Sequence, residues 1–157
     1  HNSQNTEWLV LSGREELRRL AGLVVEWMRQ VQVESPELAR AMNLERTVAR
    51  WQAGHDVILR GAPVLIVTHA HAEDRIAPSS CTMALAHLEL AATSLGLGTC
   101  WAGYLHAATA AFAPLVAALD LPEDHRCLGA MMVGYAKFRY QRVPTRRPAR
   151  ITWRLDE

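Results

Sequence analysis

The sequence lacks the features that mark several large function classes. Only three cysteines occur in 157 residues, Cys81, Cys100 and Cys127, and no Cys-x-x-Cys pair is among them. An odd, widely spaced set builds neither a disulfide framework nor an iron–sulfur or zinc knuckle. Three small packed thiols in a reducing cytoplasm fit it better, so a cytoplasmic location is expected. No uncharged apolar run reaches the roughly 18 residues that a membrane span needs, and no membrane partner is expected. The chain opens at His1 with no initiator Met and no basic-then-apolar leader, so no signal peptide is expected. There is no internal repeat and no low-complexity linker, and residues 1–157 read as one domain large enough for its own core.

Acid is absent from another place. From Lys137 to Arg154 the chain carries Lys137, Arg139, Arg142, Arg146, Arg147, Arg150 and Arg154 without one carboxylate, although the net charge is only +1. The preceding chain is therefore net acidic, and an anionic ligand should be sought at the tail. Pro144 and Pro148 favour an extended path there. Phe138, Tyr140 and Trp153 would offer stacking platforms to a nucleic acid. The near-neutral total charge and the confinement of the bases to one stretch argue against that partner, and none is expected.

Apolar spacing gives the elements. Glu7 to Leu11 reads as a short strand, and Ser12 with Glu15 has capping-box spacing for the helix that follows. Leu17, Leu20, Leu23, Val24 and Trp27 mark that helix's buried face. A second helix is expected from Ser35-Pro36 to about Gln52, a buried strand at Val64–Thr68, and a loop at Asp74–Ser80. Cys81 to Leu95 is apolar almost all round, so this helix should be buried on more than one side, within the domain or against a partner subunit. Gly96 should end it. A strand at Thr99–Ala102, a third helix at Ala107–Leu119 and a last core strand at Arg126–Tyr135 complete the set. The mixture lacks regular βαβ alternation, so the fold class is α+β.

The stretch from Leu95 to Leu105, LGLGTCWAGYL, is dense in glycine. A dinucleotide fingerprint would leave a strand and open a helix, whereas Gly96 and Gly98 follow a helix and enter a strand, and Gly103 comes too late. Gly96 has a capping role; Gly103, after Trp101, has none that the sequence shows. A missing side chain there would let a flat ring approach the backbone.

His69 and His71 end a buried strand in VLIVTHAHAED. Their spacing sends both imidazoles to one side, as a metal requires, and the words resemble a metal-dependent hydrolase signature. Glu73 and Asp74 stand where its next ligands should be, so the pair is read as polar residues at a strand exit and no metal site is assigned. His55, His87, His106 and His125 show no triad spacing. Cys100 has no resolving partner nearby in sequence, and Trp8, Trp27 and Trp51 are read as core or interface aromatics.

LELAATSLGLGTCWAGYL, with ILRGAPVLIV before it and LGAMMVGYAKFRYQRVPTRRPARITW after it, resembles the nitroreductase family of flavin enzymes. The opening HNSQNTEWLV resembles the family's Ser/Asn-rich loop, with Asn5 where proline is usual. The form of the tail resembles the branch often encoded with an N-terminal ferredoxin-like module. The resemblance implies an α+β fold with a mixed or antiparallel sheet flanked by helices, FMN as cofactor, and an intertwined homodimer with flavins at the subunit interface. It implies an oxidoreductase that carries two electrons by a ping-pong route from NAD(P)H or a ferredoxin-like donor to a nitro-aromatic, quinone or similar small-molecule acceptor.

Matched by position, Asn2, Ser3 and Gln4 fall on the loop that contacts the flavin ring and ribityl chain. Trp101, Ala102 and Gly103 fall on the segment whose backbone lines the ring, and Arg146 and Arg147 on the basic position that contacts the phosphate. No side chain is expected to act as a nucleophile, because the chemistry is the cofactor's. The family's N-terminal Arg-x-Ser-x-Arg-like helix has no counterpart in this sequence, so the domain is expected to be N-terminally incomplete relative to the family. The alternatives are a dimer of the same fold that binds no FMN and catalyses nothing and, ranked below it, a metal-dependent hydrolase using His69 and His71.

Overall fold

Alternation of side chains along the strands sorts the apolar residues onto two faces, and helices cover both. The computed structural model describes residues 4–138, 141–142 and 145–154. Asn2, Ser3, Arg139, Tyr140 and Pro144 lie outside them. In chain order the elements are β1 (Glu7–Ser12), α1 (Arg14–Glu34), α2 (Pro36–Ala41), α3 (Leu44–Gln52), β2 (Val64–His71), α4 (Ala77–Ser94), β3 (Leu97–Trp101), α5 (Gly103–Thr109), α6 (Ala113–Leu119) and β4 (His125–Tyr135). The four strands form one sheet in the order β1-β2-β4-β3, antiparallel at every step. The α+β class holds.

Leu65, Val67, Ala130 and Met132, with Leu9 and Leu11 at the edge, face α1, α5 and α6 and pack with Leu20, Val24, Met28, Leu105 and Leu115 in the main core. Val64, Ile66, Met131 and Val133 face the other way, against Leu85 and Leu88 of α4. α1 buries Leu17, Leu20, Val24 and Trp27 as their spacing predicts, leaves Leu23 half-buried against the core, and adds Ala21, Val25, Met28 and Val31.

Several local expectations are corrected. Ser12 caps nothing: it is the last residue of β1, and Gly13, at φ 106, takes the cap position of α1. That turn needs a backbone conformation that glycine accepts at little cost, which moves the helix start one residue on. The second helix breaks into α2 and α3 at Asn43, whose φ of 56 ends one helix before the other begins; asparagine tolerates this left-handed conformation better than most residues. The third helix starts earlier, at Gly103, and splits at Phe112, where the backbone is extended and Pro114 enters the first turn of α6. Only part of Asp74–Ser80 is loop, because α4 starts at Ala77. There the Asp74 carboxylate accepts the N–H groups of Ile76 (2.8 Å) and Ala77 (3.2 Å). Gly96, at φ 72, follows the end of α4 as expected.

α4 is not enclosed. Ala77, Cys81, Leu85 and Ala92 are buried, but Met83, Leu90 and, just beyond the helix, Leu95 stand open. One face of this apolar helix is thus left uncovered within a single chain.

The central ladder carries one irregularity. Thr68 lies opposite Gly129 and His69 opposite Cys127, so Leu128 is an extra residue in β4. Leu128 packs beside Ala70, Ala77 and Cys81 on the α4 side, and Cys127 packs towards the main core. A bulge of this kind swaps the faces of the residues beyond it.

Gly134 lies where β4 passes Pro63. A Cβ built there would sit 2.7 Å from Pro63 Cδ and 3.0 Å from Cγ. The proline ring has little freedom to yield. Gly134→Ala should therefore destabilise the fold by about 1–3 kcal/mol, the range for overpacking, read as a lowered midpoint in urea with an unchanged slope.

Candidate functional site

The segment Trp101–Gly103, expected to line a flavin, is a strand-to-helix junction. β3 ends at Trp101, opposite Met131 of β4, and the Ala102 N–H donates to the Ala130 carbonyl at 2.9 Å. Ala102 is buried, and its own carbonyl accepts the His106 N–H at 3.0 Å, which starts α5. Farther along, Leu105 and Ala108 anchor α5 in the core, and the Tyr104 hydroxyl donates to the Met42 carbonyl at 3.2 Å. The junction is therefore held rigidly from beneath.

Its outer side is open. Among the described residues, its chain neighbours and own helix backbone aside, a Cβ on Gly103 would meet no atom within 4 Å, and Gly103 is not in the left-handed region. Neither packing nor backbone conformation requires glycine at this position. Trp101 beside it is 41% exposed, its indole N–H donating to Glu89 Oε2 of α4 at 3.3 Å. Trp101, Ala102 and Gly103 are thus brought together as one firmly backed surface with free space above it.

Gln4 is elsewhere. It is exposed, with φ at 46, and the chain after it is tied down by Asn5, whose amide donates to Asp74 Oδ2 at 2.5 Å. Asn5 therefore holds this loop by a side-chain hydrogen bond. That bond, with the N–H groups of Ile76 and Ala77, keeps the Asp74 carboxyl below the ordinary aspartate range.

The sheet fixes how far apart the two parts lie. β1 and β3 are its opposite edges, with β2 and β4 between them. Glu7 is level with His69 and Cys127, whereas Trp101 is level with Met131. Three strand spacings and this offset place Glu7 and Trp101 roughly 15–20 Å apart, and Gln4 continues in the direction away from Trp101. One chain does not bring Gln4 and Gly103 to the same small ring.

Arg146 and Arg147 are exposed in the irregular tail, and neither makes a hydrogen bond or ion pair among the described residues. Asn2 and Ser3 lie outside the described residues. Single-chain contacts thus unite one part of the expected site and leave two parts separate.

Other readings are sharpened. Cys81, Cys100 and Cys127 are free thiols, and burial pushes the Cys127 thiol up from its ordinary value. His87 is exposed on α4, with Nδ1 2.8 Å from the Met83 carbonyl. Of the tryptophans, Trp27 is buried, Trp51 is half-buried beneath the Arg18 guanidinium, and Trp8 is 45% exposed on the edge strand. His69 does not stand simply with His71: its Nδ1 is 2.9 Å from His125 Nδ1, and Glu7 is beside both. Sequence spacing gave no sign of this group, because its members come from three strands.

No helix among the described residues is long and apolar enough to cross a membrane. The described fold is shared with solved nitroreductases. One, from Bacteroides fragilis with FMN bound, is 20% identical, matches 96% of this chain and 76% of its own, and superposes with a TM-score of 0.71. A second, from Desulfitobacterium hafniense and also with bound FMN, is 21% identical over 92% of this chain and 73% of its own, with a TM-score of 0.67. A BluB-like flavoprotein from Clostridium difficile is 16% identical over 94% of this chain and 77% of its own, with a TM-score of 0.68. The model of the nitroreductase family matches residues 1–135, from the Ser/Asn-rich opening to the end of β4, and the chain belongs to that family.

Proposed function

We propose that this protein is an FMN-dependent oxidoreductase that works as a homodimer, each flavin site being shared by two chains. Family membership supports the general class, and FMN is bound in two of the solved structures that share the fold. The observation that carries the reading to this chain is the open side of Gly103. It is a glycine that the chain's own packing does not need, set on a rigid junction where a side chain would obstruct a flat ring.

When bound, FMN supplies the two-electron chemistry between a donor, NAD(P)H or a ferredoxin-like module, and a nitro-aromatic, quinone or similar acceptor, in ping-pong order. The chain's own residues bind and orient. The Ala102–Gly103 backbone offers a flat support, and a backbone N–H aimed at a ring tunes it without adding a titrating group. Amides such as those of Gln4 and Asn2 offer donors and acceptors together, matched to the uracil-like edge of a flavin, and Ser3 would reach the ribityl chain. The Arg146 guanidinium, seconded by Arg147, would hold the phosphate through paired hydrogen bonds.

Two observations support sharing between chains. The separation of Gln4 from Gly103 leaves neither end of the site complete alone. The uncovered face of α4, with Met83 and Leu90 open and Trp101 alongside, is the kind of apolar surface that a second subunit covers.

Gly103→Val should weaken FMN binding about tenfold or more, some 1.4 kcal/mol, while thermal stability stays within about 0.5 kcal/mol of the parent. Undiminished flavin occupancy would remove Gly103 from the site. Arg146→Ala should cost about 1.5–3 kcal/mol of FMN affinity, the scale of a charge-assisted hydrogen bond, without loss of folding; equal affinity in a titration would exclude Arg146. Sharing has its own test. Chains carrying Gly103→Val and chains carrying Asn2→Ala with Gln4→Ala, each poor in flavin alone, should regain one flavin per mixed dimer when co-expressed. A mixed dimer no better than either parent would show that each site belongs to one chain.

A further inference from the structure

At the end of the sheet away from Trp101, three strands place Glu7, His69 and His125 together. Glu7 of β1 is directly opposite His69 of β2. His125 of β4 is opposite His71, one diagonal step from His69. One ligand-capable atom from each of Glu7, His69 and His125 lies within 4.8 Å of the others. His69 Nδ1 and His125 Nδ1 are 2.9 Å apart, and His125 Nε2 is 3.9 Å from Glu7 Oε1.

The bulge makes this meeting happen. Unbroken alternation through β4 would put Cys127 and His125 on the α4 side with Met131 and Val133. The bulge, by setting Leu128 out of the count, brings both to the face that carries His69 and Glu7. Bulges that re-aim a side chain are found next to functional sites more often than elsewhere.

The chemistry of the group favours a cation. Two imidazoles facing each other nitrogen to nitrogen satisfy one hydrogen bond at most, and two imidazoliums there would repel. Burial holds the His69 ring below its ordinary pKa, opposed by Glu7 and aided by His125. Metal–nitrogen bonds of about 2.0–2.1 Å in a tetrahedral arrangement set the two nitrogens about 3.3 Å apart. A small side-chain rotation supplies the difference from 2.9 Å. His69 is buried, whereas the Glu7 side chain is 59% exposed, so the group has a firm floor and an open side for entry. His71 has another engagement, its Nδ1 accepting the Glu73 N–H at 3.2 Å.

We propose that Glu7, His69 and His125 form a binding site for a borderline divalent cation of the Zn²⁺ class, with water in the fourth position. Two imidazoles and one carboxylate are a known zinc donor set, and imidazole also suits Co²⁺, Ni²⁺ and Cu²⁺. The bound ion would clip the edge strand β1 to β2 and β4, and so steady the strand that follows the N-terminal loop.

The test uses the full chain, stripped by a chelator and free of flavin, titrated calorimetrically with Zn²⁺ alone. The site predicts one ion per chain, a thermal midpoint that rises with Zn²⁺, and four-coordinate visible absorption when Co²⁺ replaces it. Glu7→Gln, an exposed and nearly isosteric change, and His125→Ala should each lose about a hundredfold or more in affinity, beyond what altering an outer-shell partner costs. His71→Ala should keep the site. Absence of saturable binding would overturn the proposal. So would binding that survives His125→Ala and disappears in His71→Ala, which would place the ion on the His69–His71 pair. The readout requires no FMN, so failure here and failure of the flavin reading are separately visible.

Discussion

The antiparallel ladder between β2 and β4 is the constraint from which the rest of the molecule follows. It pairs Val64–His71 with the length of β4, and every other strand and packed helix takes its position from it. Its two faces define the two cores, one under α1, α5 and α6, the other under α4. Its two sides define the edges, β1 and β3. Because the N-terminal loop precedes β1 and the Trp101–Gly103 junction follows β3, the ladder also keeps these segments apart. An oxidoreductase site built from both needs two copies of the chain. The sharing proposed here is thus a consequence of strand order.

The same ladder explains a contrast between its two ends. At the Val133 end the register is regular and the residues are apolar, so side chains alternate between the cores without exception. At the His125 end one extra residue breaks the alternation and turns a polar residue inward beside two others. Regular pairing makes a scaffold; the local departure from it gathers chemistry. Beside the departure, Gly129 makes room for α4, since a Cβ there would come within 2.5 Å of Leu85 Cδ1 and 3.2 Å of Thr68 Oγ1.

Elements whose signal is periodic were legible in the sequence. The spacing of Leu17, Leu20, Val24 and Trp27 marks α1, and the apolar run from Val64 marks β2, because burial of a face leaves its period in the residues. Ends were less legible. Nothing in the residue types at Ser12 shows that Gly13 takes the turn, and nothing in the long second helical stretch shows that Asn43 adopts a left-handed conformation. These are choices of backbone angle, made where tertiary contacts outweigh local preference. α4 shows how far one chain goes: apolar residues all round it pointed to burial on more than one side, within the domain or against a partner subunit, and the single chain covers one face.

The candidate site was legible where a residue had no other explanation. Gly103 stood out in the sequence because no turn or cap accounted for it, and the structure adds that no packing does either. The Glu7–His69–His125 group was illegible because its members are joined by cross-strand register and a bulge, which one-dimensional spacing does not encode. Arg146 and Arg147 were matched to the phosphate position by the family resemblance, and they lie exposed in the irregular tail. The central claim is that two chains together make a flavin site, and the visible absorbance of the purified protein, incubated with FMN and passed through gel filtration, tests it most directly. Flavin bands that travel with a dimer are the predicted result. A dimer that emerges colourless, or flavin that travels with a single chain, would contradict it.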